Sequence, residues 1–519
     1  SIYSLKGASS AEHNPFMALK RPTADEHQGE VLGFSLIYSG NFLGQVDVSS
    51  FGQTRVSMGI HPDRFTWLLE KGEAFQTPEV VLVYSDQGLN GMSQSFHGIF
   101  REHLMRGFWG QRERPVLLNN WEAMSFDFDE DRILTLASQA ASVGVELFVM
   151  DDGWFGDRNH ERAGLGDWSV NLDKLPNGLT GIVDQVHGLG MKFGLWIEPE
   201  MVNKDSQLYR AHPDWILHHP KHSQSHGRYQ YTLDFSREEV YQNINDQLYK
   251  LLSEHEIDYI KWDMNRYMTE VYSLGHPIER QGEIFHRYML NLYRLYENLT
   301  SSFPHVLFES CSSGGGRFDP GLLYYAPQTW TSDNTDAIER LKIQYGTSMV
   351  YPLVSMGCHV SESPNQQVGR STPLSTRGNV AFFGSFGYEL DLSDCNPDEL
   401  EEIKEQIAFY KQHRSTFQFG TFTRLLSPFE GEDVAWQVAS KDGSQVIVGF
   451  YRRLVTANLG LARLRLKGLD EKALYELDGK TYYGSDLMYA GLPIQNEVHV
   501  QKDKDFSSRL YILKRIEES

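Results

Sequence analysis

Short apolar strands and turns dominate the first hundred residues of the chain. Val31–Tyr38 and Glu79–Tyr84 alternate apolar with polar positions or run apolar, with Gly and Asn turns between them, which is typical of β-structure. Met92–Leu104 then has the spacing of a helix. We therefore predict that residues 1–105 form a β-domain followed by a linking helix.

From residue 106 to residue 424, short apolar strands alternate with amphipathic helices, as in βα units around a parallel sheet. Eight strands over about 300 residues favour a (β/α)8 TIM barrel of the α/β class, with a doubly wound open sheet as the competing fold. The predicted strands are Pro115–Trp121, Glu146–Met150, Lys192–Ile197, Ile257–Trp262, Val306–Glu309, Gln328–Ser332, Leu353–Cys358 and Asn379–Gly384. A short segment, Tyr231–Phe235, could be miscounted as a further strand.

Amphipathic periodicity also gives the helices of this region. Ser236 is predicted to be the N-cap of the third one, with Glu238 and Glu239 near its positive end. The predicted helices are Glu130–Val143, Gly178–Leu189, Arg237–Leu252, Ile284–Leu299 and Glu399–His413.

After about Leu425 the helical periodicity ends, and short β runs follow between Gly and Asp turns. These runs predict that residues 425–519 form a small antiparallel β-sandwich. They are Val434–Val438, Val446–Tyr451, Ala462–Leu466, Ala473–Leu477 and Arg509–Leu513.

Composition excludes several classes of partner. The net charge of -21 argues against nucleic acid or an anionic membrane, because phosphate groups would be repelled. No apolar run approaches the roughly 20 residues that cross a bilayer. Cys311, Cys358 and Cys395 are too few for a disulfide framework in so long a chain, which favours a reducing, cytoplasmic setting.

Carboxylates and tryptophans recur where the predicted strands end, which is where TIM-barrel enzymes carry their chemistry. Carboxylates packed together raise one another's pKa and cost folding energy unless they are used or paired, so the cluster indicates a functional site. The strand-end segments are Asn119–Glu122, Asp151–Trp154, Trp196–Glu200, Asp263–Asn265, Glu309–Gly316 and Trp330–Asn334.

Carboxylates with aromatic side chains, and without a metal or phosphate motif, indicate a carbohydrate substrate. Glycoside hydrolysis needs two carboxyl groups, one to protonate the leaving oxygen and one to attack the anomeric carbon or activate water. Asp263 and Asp333 end the fourth and sixth predicted strands, and alternate strands contribute to one layer of a barrel. The pattern alone does not prefer this pair over Asp151, Asp152, Glu198 or Glu309.

Other interpretations have less support. The histidines of His218–His226 fit no zinc spacing, Ser312–Gly316 is not followed by a P-loop lysine, and Cys311 has no histidine near it to activate it. A non-catalytic carbohydrate-binding protein is disfavoured by the presence of both Asp263 and Asp333. A metal-dependent barrel hydrolase would need histidine ligands at the strand ends, and we expect neither a metal nor a cofactor.

The chain contains, in this order, the segments NNWEA, MDDGWFG, GLWIEPEM, YIKWDMNR, ESCSSGGGRFD and TSDNTDA. Together these six segments resemble glycoside hydrolase family 36, the larger bacterial α-galactosidases. The resemblance extends along nearly the whole chain and implies a retaining α-galactosidase that acts on oligosaccharides of the melibiose and raffinose type. It implies that Asp263 is the nucleophile and Asp333 the acid/base.

The resemblance also implies how galactose is held. Asp151 and Asp152 resemble the pair that binds the 4- and 6-hydroxyls, and Lys261 and Arg228 resemble ligands of the 3- and 4-hydroxyls. Buried charged acceptors around an axial 4-hydroxyl can reject glucose strongly, because unpaired groups would be left behind. On a strand, Lys261 also points to the same side as Asp263 and favours its ionised form.

Five further positions follow from the same motifs. Cys311 and Gly314 resemble the elements that contact the 2-hydroxyl, and a thiol there leaves little room for a 2-acetamido group. Trp196 resembles an aromatic wall, Trp121 stands in the matching first-strand motif, and Asn265 is expected beside the nucleophile. The acid/base must keep its proton near neutral pH, so its pKa is predicted to be raised.

Family members carry a longer β-supersandwich before the barrel, so residues 1–105 are expected to be its final part. The full-length form is expected to be a homotetramer. Within the enzyme class, the alternatives are an α-galactosyl transferase of the raffinose-synthase type and an α-N-acetylgalactosaminidase.

Overall fold

Two three-stranded antiparallel sheets, β1-β4-β5 and β2-β3-β6, form the N-terminal region. The computed structural model describes residues 1–10, 12–456, 462–494 and 505–516. Helix α1 (Gly88–Ile99) continues into one π-helical turn, Phe100–Leu104. The strands are β1 (Ile2–Ser4), β2 (Phe16–Lys20), β3 (Val31–Ile37), β4 (Phe42–Val48), β5 (Thr54–Ile60) and β6 (Glu79–Ser85).

Eight parallel strands then close into a barrel, in which the last strand pairs with the first through Tyr388 and Leu118. β10 and β11 form an antiparallel pair outside it. The predicted (β/α)8 barrel, with β-structure before it and after it along the sequence, is therefore confirmed. In chain order the strands are β7 (Leu117–Asn119), β8 (Leu147–Met150), β9 (Lys192–Ile197), β10 (Met201–Asn203), β11 (Gln230–Thr232), β12 (Tyr259–Trp262), β13 (Leu307–Ser310), β14 (Gln328–Trp330), β15 (Met356–Ser361) and β16 (Ser385–Glu389).

Ten helices accompany the barrel in the described part of the chain. The longest, α11, begins with a capping box in which Asn396 and Glu399 bond to each other's backbone N–H groups. The helices are α2 (Trp121–Met124), α3 (Glu130–Val143), α4 (Gly178–Gly188), α5 (Gln207–Ala211), α6 (Glu238–Glu254), α7 (Ile284–Ser302), α8 (Pro320–Leu323), α9 (Ala337–Thr347), α10 (Leu374–Ala381) and α11 (Pro397–Phe419). Short 3-10 helices span Pro213–Trp215, Ile278–Glu283, Leu353–Ser355 and Leu392–Asp394.

The eighth strand lies further along the chain than the pattern predicts. Asn379–Gly384 is the end of α10 and the turn after it, and the strand is Ser385–Glu389. The apolar run Val380–Phe383 is fully buried, and a short apolar run does not distinguish a buried helix end from a strand. The predicted eighth strand was therefore wrong, because it covers a helix end and a turn and stops just before the observed strand.

Two smaller predictions were also wrong. The seventh strand is Met356–Ser361, because Leu353–Ser355 forms a 3-10 helix before it. The N-cap of α6 is Arg237 and not Ser236. The Ser236 hydroxyl instead donates to Asp234, two residues back along the chain, so it is not free to cap the helix.

Eight antiparallel strands follow the barrel in the part of the chain that the structure describes. Six form the sheet β17-β18-β19-β24-β21-β22, and β20 pairs with β23. Val448, Leu464, Leu492 and Tyr511, which come from both sheets, share one apolar core. The strands are β17 (Thr421–Leu426), β18 (Asp433–Ala439), β19 (Gln445–Arg452), β20 (Ala462–Leu464), β21 (Leu474–Leu477), β22 (Lys480–Tyr483), β23 (Leu492–Ile494) and β24 (Ser507–Ile516), with a π-helical turn at Asp486–Gly491.

The inner face of the barrel changes from apolar to polar towards the carboxyl ends of the strands. Leu117, Val149, Tyr259 and Leu307 form one buried apolar cluster. Side chains two positions apart on a strand point to the same face, so the next inward residues are Asn119, Asp151, Lys261 and Glu309. The barrel thus carries an apolar plug with a layer of buried polar groups above it. Among the described helices, none is long and apolar enough to cross a membrane.

A buried ion pair connects three of the elements around this polar layer. Arg317 donates two hydrogen bonds to Glu200, at 2.9 and 2.7 Å, and neither side chain is exposed. Glu200 also accepts hydrogen bonds from the Tyr288 hydroxyl at 2.6 Å and the Trp262 indole at 3.0 Å. The pair therefore joins the segment after β9 to the end of β12 and to the loop after β13.

We expect Arg317→Met to lower the free energy of unfolding by about 3–5 kcal/mol, because it leaves the Glu200 carboxylate buried without its partner. Urea unfolding followed by tryptophan fluorescence measures the loss. Arg294→Met is the control, since Arg294 pairs with Glu238 at the surface and should lose less than about 1 kcal/mol. Equal losses in the two variants would contradict the structural role of the buried pair.

Candidate active site

A small cleft lies at the carboxyl ends of the barrel strands. Its volume of about 130 Å³ is well below the roughly 300–1,000 Å³ of sites for drug-sized ligands, so it suits one small polar ring. Six carboxyl groups line it. The lining residues are Trp121, Glu122, Asp151, Asp152, Trp196, Arg228, Lys261, Asp263, Asn265, Trp330, Asp333, Gln366, Gln367 and Glu389.

Asp263 follows β12 directly, and its carboxylate is surrounded by donors. Oδ1 accepts hydrogen bonds from the backbone N–H groups of Ser312 and Ser313, at 2.9 and 3.1 Å, and Oδ2 accepts one from Asn265 Nδ2 at 2.7 Å. Burial alone would raise the pKa of this carboxyl group. The positive charge of Lys261 and the hydrogen bonds outweigh burial and lower the pKa, so Asp263 is ionised.

The loop that supplies those N–H groups, residues 312–316, is called here the glycine loop. Its first four residues all have positive φ: 84° at Ser312, 52° at Ser313, 70° at Gly314 and 90° at Gly315. Non-glycine residues adopt this region at a cost, and they do so mainly where the surrounding structure holds them. This conformation directs two adjacent backbone N–H groups at one carboxylate oxygen, as in an anion-binding nest.

Asp333 lies in the loop after β14, close to Gly314 of the glycine loop. Its Oδ1 accepts a hydrogen bond from the Trp330 indole at 2.9 Å. The residue is exposed at the mouth of the cleft, but its carboxyl group lies among protein atoms. Burial and the negative charge of Asp263 raise its pKa above the ordinary value.

Gly314 fits closely against Asp333. A Cβ atom at this position would lie 2.2 Å from the Asp333 backbone nitrogen and 3.0 Å from its carboxyl carbon, and the positive φ favours glycine as well. Gly314 does not line the cleft, whereas the resemblance places it at the 2-hydroxyl. The glycine loop therefore bonds to one carboxylate through its serines and sets the position of the other through its glycine.

A second group of charges lies deeper in the cleft. Lys261 Nζ donates to Asp151 Oδ2 at 3.0 Å, and Asn119 Nδ2 donates to the same oxygen at 2.6 Å. Burial raises the pKa of Asp151, and these two donors oppose the rise. Asp152 is held by both Arg158 Nε and Nη2, at 2.9 and 2.8 Å. Both carboxylates are thus fixed in place, and both residues line the cleft.

The remaining predicted residues occupy different positions. Trp121 and the exposed Arg228 line the cleft, and the Trp196 indole donates to Asp263 Oδ2 at 3.2 Å. Cys311 is buried outside the cleft lining. Burial and the charge of Asp263 raise the pKa of its thiol well above the ordinary value, which does not suit a nucleophile. Its thiol instead forms a hydrogen bond that helps to lower the pKa of Asp263.

Glu198 and Glu309, which the pattern left open as alternatives, lie outside the cleft lining. Glu198 is fully buried, and its Oε2 accepts a hydrogen bond from Asn265 Nδ2 at 3.2 Å. Burial and the charge of Asp263 raise the pKa of Glu198 to about 8. Glu309 accepts a hydrogen bond from Gln328 Nε2 at 2.6 Å inside the barrel. Both residues therefore act as internal acceptors for their neighbours.

Sequence reasoning missed part of the cleft wall. Glu389 ends β16 and accepts a hydrogen bond from His359 Nδ1 at 3.2 Å. Burial would raise its pKa, but His359 and Lys261 lower it. Glu122 lies near it, and burial and the charge of Glu389 raise its pKa to about 8. A correct position for the eighth strand would have revealed Glu389 as a strand-end carboxylate.

Gln366 and Gln367 were missed for another reason. They lie in the long connection between β15 and α10, which shows no strand-end signal. Trp330 stands at the end of the sixth predicted strand, but the sequence assigned it no role.

In the described residues, no group of three or more His, Cys, Asp or Glu side chains is placed to hold a metal ion.

Family models match three consecutive parts of the chain. Residues 1–70 match the glycosyl hydrolase family 36 N-terminal domain, residues 74–420 match Melibiase, and residues 433–513 match the family 36 C-terminal domain. Among curated relatives, α-galactosidase AgaA of Geobacillus stearothermophilus is 58% identical over 516 residues, which are 99% of this chain and 70% of the relative. Alpha-galactosidase 1 of Pediococcus pentosaceus is 46% identical over 518 residues, again 99% and 70% of the two chains.

Solved structures agree with the sequence relatives. The Geobacillus AgaA structure matches with a TM-score of 0.97 and 57% identity, over 99% of this chain and 71% of that one. The α-galactosidase of Lactobacillus brevis matches with a TM-score of 0.98 and 48% identity, over 100% and 70%. This chain therefore belongs to glycoside hydrolase family 36 and is a glycoside hydrolase.

Proposed function

We propose that this chain, an α-galactosidase, removes terminal non-reducing α-D-galactosyl residues by a retaining double displacement on Asp263 and Asp333. The observation that carries the proposal is that the pKa values of these two carboxyl groups, which line one cleft, are shifted in opposite directions. The pKa of Asp263 is lowered and that of Asp333 is raised. One is therefore prepared to attack as a carboxylate and the other to donate a proton.

In the first step, Asp333 protonates the glycosidic oxygen while the Asp263 carboxylate attacks the anomeric carbon. The bond to the leaving oxygen breaks, a carboxylate–galactose ester forms, and the aglycone leaves as an alcohol. Loss of the proton lets Asp333 act as a base. In the second step it takes a proton from water, the water oxygen attacks the anomeric carbon, and Asp263 is released.

The hydrogen bonds around Asp263 help both steps. The N–H groups of the glycine loop stabilise the carboxylate before attack and again when it is released as the leaving group. Asn265 and Trp196 fix the plane of the carboxylate through Oδ2. A preorganised nucleophile avoids the reorganisation that solvent would need.

Galactose recognition is assigned to the charged group deeper in the cleft. Asp151, Asp152 and Lys261 are buried, and their mutual hydrogen bonds and those of Arg158 fix their positions. A sugar whose 4-hydroxyl is axial can pair with these groups, whereas an equatorial hydroxyl would leave one of them unpaired at a large cost. Arg228, at the exposed edge, would complete the set from solvent.

We infer that the substrates are galacto-oligosaccharides of the melibiose and raffinose type. Structures of AgaA variants from Geobacillus stearothermophilus hold raffinose and stachyose. The cleft of this chain has room for one sugar ring, so the rest of the oligosaccharide would lie outside it. We also propose that the protein works in the cytoplasm, where its free cysteines stay reduced, and that it assembles as a homotetramer.

We expect Asp263→Ala to lower kcat/KM on aryl α-galactosides on the order of 10⁴-fold or more, because no covalent intermediate can form. Added azide should restore turnover and give β-galactosyl azide, since it attacks from the side that the carboxylate leaves empty. NMR of the product identifies the anomer. Asp63→Ala, an exposed carboxylate of the N-terminal region, should keep full activity. Formation of α-galactosyl azide by Asp263→Ala would contradict the nucleophile assignment.

Asp333→Ala should discriminate between leaving groups. An aryl galactoside with an acidic phenol leaves without a proton, so its first step should be nearly spared, whereas hydrolysis of melibiose should fall about 10²–10⁴-fold. Azide should then give α-galactosyl azide, because it attacks the covalent intermediate. Burst kinetics and product NMR report both effects. Equal losses on the two substrates would argue against Asp333 as the acid.

The pH profile of kcat/KM should depend on Trp330. The acid must be protonated, so activity is present below the pKa of Asp333 and is lost as the pH rises through it. The Trp330 hydrogen bond lowers that pKa, and Trp330→Phe should therefore move the alkaline limb to higher pH. Trp436→Phe removes a buried indole that donates to Tyr451 and should leave the profile unchanged. An alkaline limb that stays in place or moves to lower pH in Trp330→Phe would refute the expectation.

A further inference from the structure

The conformation of the glycine loop needs support that its own sequence does not provide. Four consecutive positive φ angles, two of them at serines, are costly in an isolated segment. Part of the support comes from the barrel, where Arg317 Nε donates to Ser312 Oγ at 2.6 Å and Ser313 Oγ donates to Asn265 Oδ1 at 2.8 Å. These contacts hold the beginning of the loop but not its end.

The end of the glycine loop is held by the N-terminal segment of the chain. Ser10 Oγ donates to the Gly315 carbonyl at 2.7 Å, and Ser10 N donates to the Gly316 carbonyl at 3.0 Å. The same hydroxyl accepts a hydrogen bond from the Phe318 N–H at 2.9 Å. Asn14 Nδ2 donates to the Phe318 carbonyl at 2.7 Å. One serine thus satisfies three backbone groups of a strained turn, and Asn14 holds its far side.

The segment is itself anchored at several points. Ser9 Oγ donates to Asp319 Oδ2 at 2.6 Å, and Gly7 N donates to Asn41 Oδ1 at 2.7 Å. The Lys6 carbonyl accepts a hydrogen bond at 3.0 Å from the N–H of Met268, five residues after the nucleophile in the loop that follows β12. We call Lys6, Gly7, Ser9, Ser10 and Asn14 the N-terminal clamp. It contacts both loops that flank Asp263.

We infer that Ser10 is a positioning residue for the reaction, because it holds the glycine loop where that loop binds Asp263 and abuts Asp333. The inference rests on the proposed roles of these two residues. Ser10 itself is outside the cleft and touches no reacting atom. It acts through the backbone of Gly315 and Gly316, next to the glycine that sets the position of Asp333.

The contacts of Ser10 distinguish this role from ordinary packing. Its side chain is only partly buried, so removal of the hydroxyl costs little apolar contact. Among the described residues, the hydroxyl bonds only to the turn that carries the strained residues. Loss of the hydroxyl should therefore change the geometry of the loop more than the stability of the fold. A shift of about 1 Å in a catalytic group can lower the rate about 10²-fold.

The test compares Ser10→Ala with Ser93→Ala. Ser93 Oγ also bonds to a backbone carbonyl of a distant element, Met349 at 2.7 Å, but does not touch the glycine loop. We expect Ser10→Ala to lower kcat for a nitrophenyl α-galactoside about 10- to 100-fold, with a smaller change in KM. The acid limb of its pH profile should move to higher pH, because weaker N–H contacts let the pKa of Asp263 rise. Its melting temperature should be no lower than that of Ser93→Ala, whose hydroxyl is buried and also accepts a hydrogen bond from Arg424. The activity and profile of Ser93→Ala should be those of the unmodified protein.

Two further variants keep the test decisive. Ser10→Thr retains the hydroxyl and should recover most of the kcat and the original acid limb. Asn14→Ala removes the bond to the Phe318 carbonyl and should show a smaller form of the Ser10→Ala effect. The inference is overturned if Ser10→Ala keeps both kcat and the acid limb, or if its loss of kcat disappears once the fraction of folded protein is taken into account.

The same preparation separates failure of this inference from failure of the proposed function. Asp263→Ala is assayed with azide in parallel. If it yields β-galactosyl azide while Ser10→Ala behaves like the unmodified protein, the nucleophile stands and only the positioning role is wrong. If Asp263→Ala yields no β-galactosyl azide, the proposed nucleophile is wrong, whatever Ser10→Ala shows.

Discussion

The site depends on keeping one buried carboxylate charged. Asp263 lies among protein atoms, where desolvation favours the neutral acid, and its proposed role as the nucleophile requires the anion. The positive charge of Lys261, two residues earlier in the chain, and converging hydrogen-bond donors outweigh the desolvation. The arrangement of β12, of the glycine loop and of the ends of the neighbouring strands follows from this requirement.

The same anion also sets the state of its neighbours. Burial and its negative charge together raise the pKa values of Asp333 and Glu198. Glu122 in the cleft and Glu198 beside it have pKa values of about 8, so not every acid around the site is ionised at neutral pH. In the proposed mechanism, this crowded set of carboxyl groups provides both the attacking anion and the proton donor.

Local sequence was sufficient for the barrel and for most of the carboxylates at its strand ends, because strand period and turn residues are local signals. Seven of the strand positions overlapped the observed ones. The eighth did not, since the run before Gly384 is buried in a helix end, and Glu389 was missed with it. The contact between Ser10 and Gly315 joins residues 305 positions apart, and no periodicity reports such a contact. The role of Gly314 against Asp333 likewise depends on a meeting of two loops.

The N-terminal clamp bears on what the three parts of the chain contribute. Residues 1–70 match a family model separate from that of residues 74–420, which would allow the first part to be an appended module. Its hydrogen bonds to the loops after β12 and β13 indicate a closer relation. The barrel supplies the carboxylates, but the turn that positions them is strained and is completed by a serine from the preceding domain. The geometry of the proposed site is therefore a property of two parts of the chain folded together, and the barrel alone would lack part of the structure that holds the proposed nucleophile.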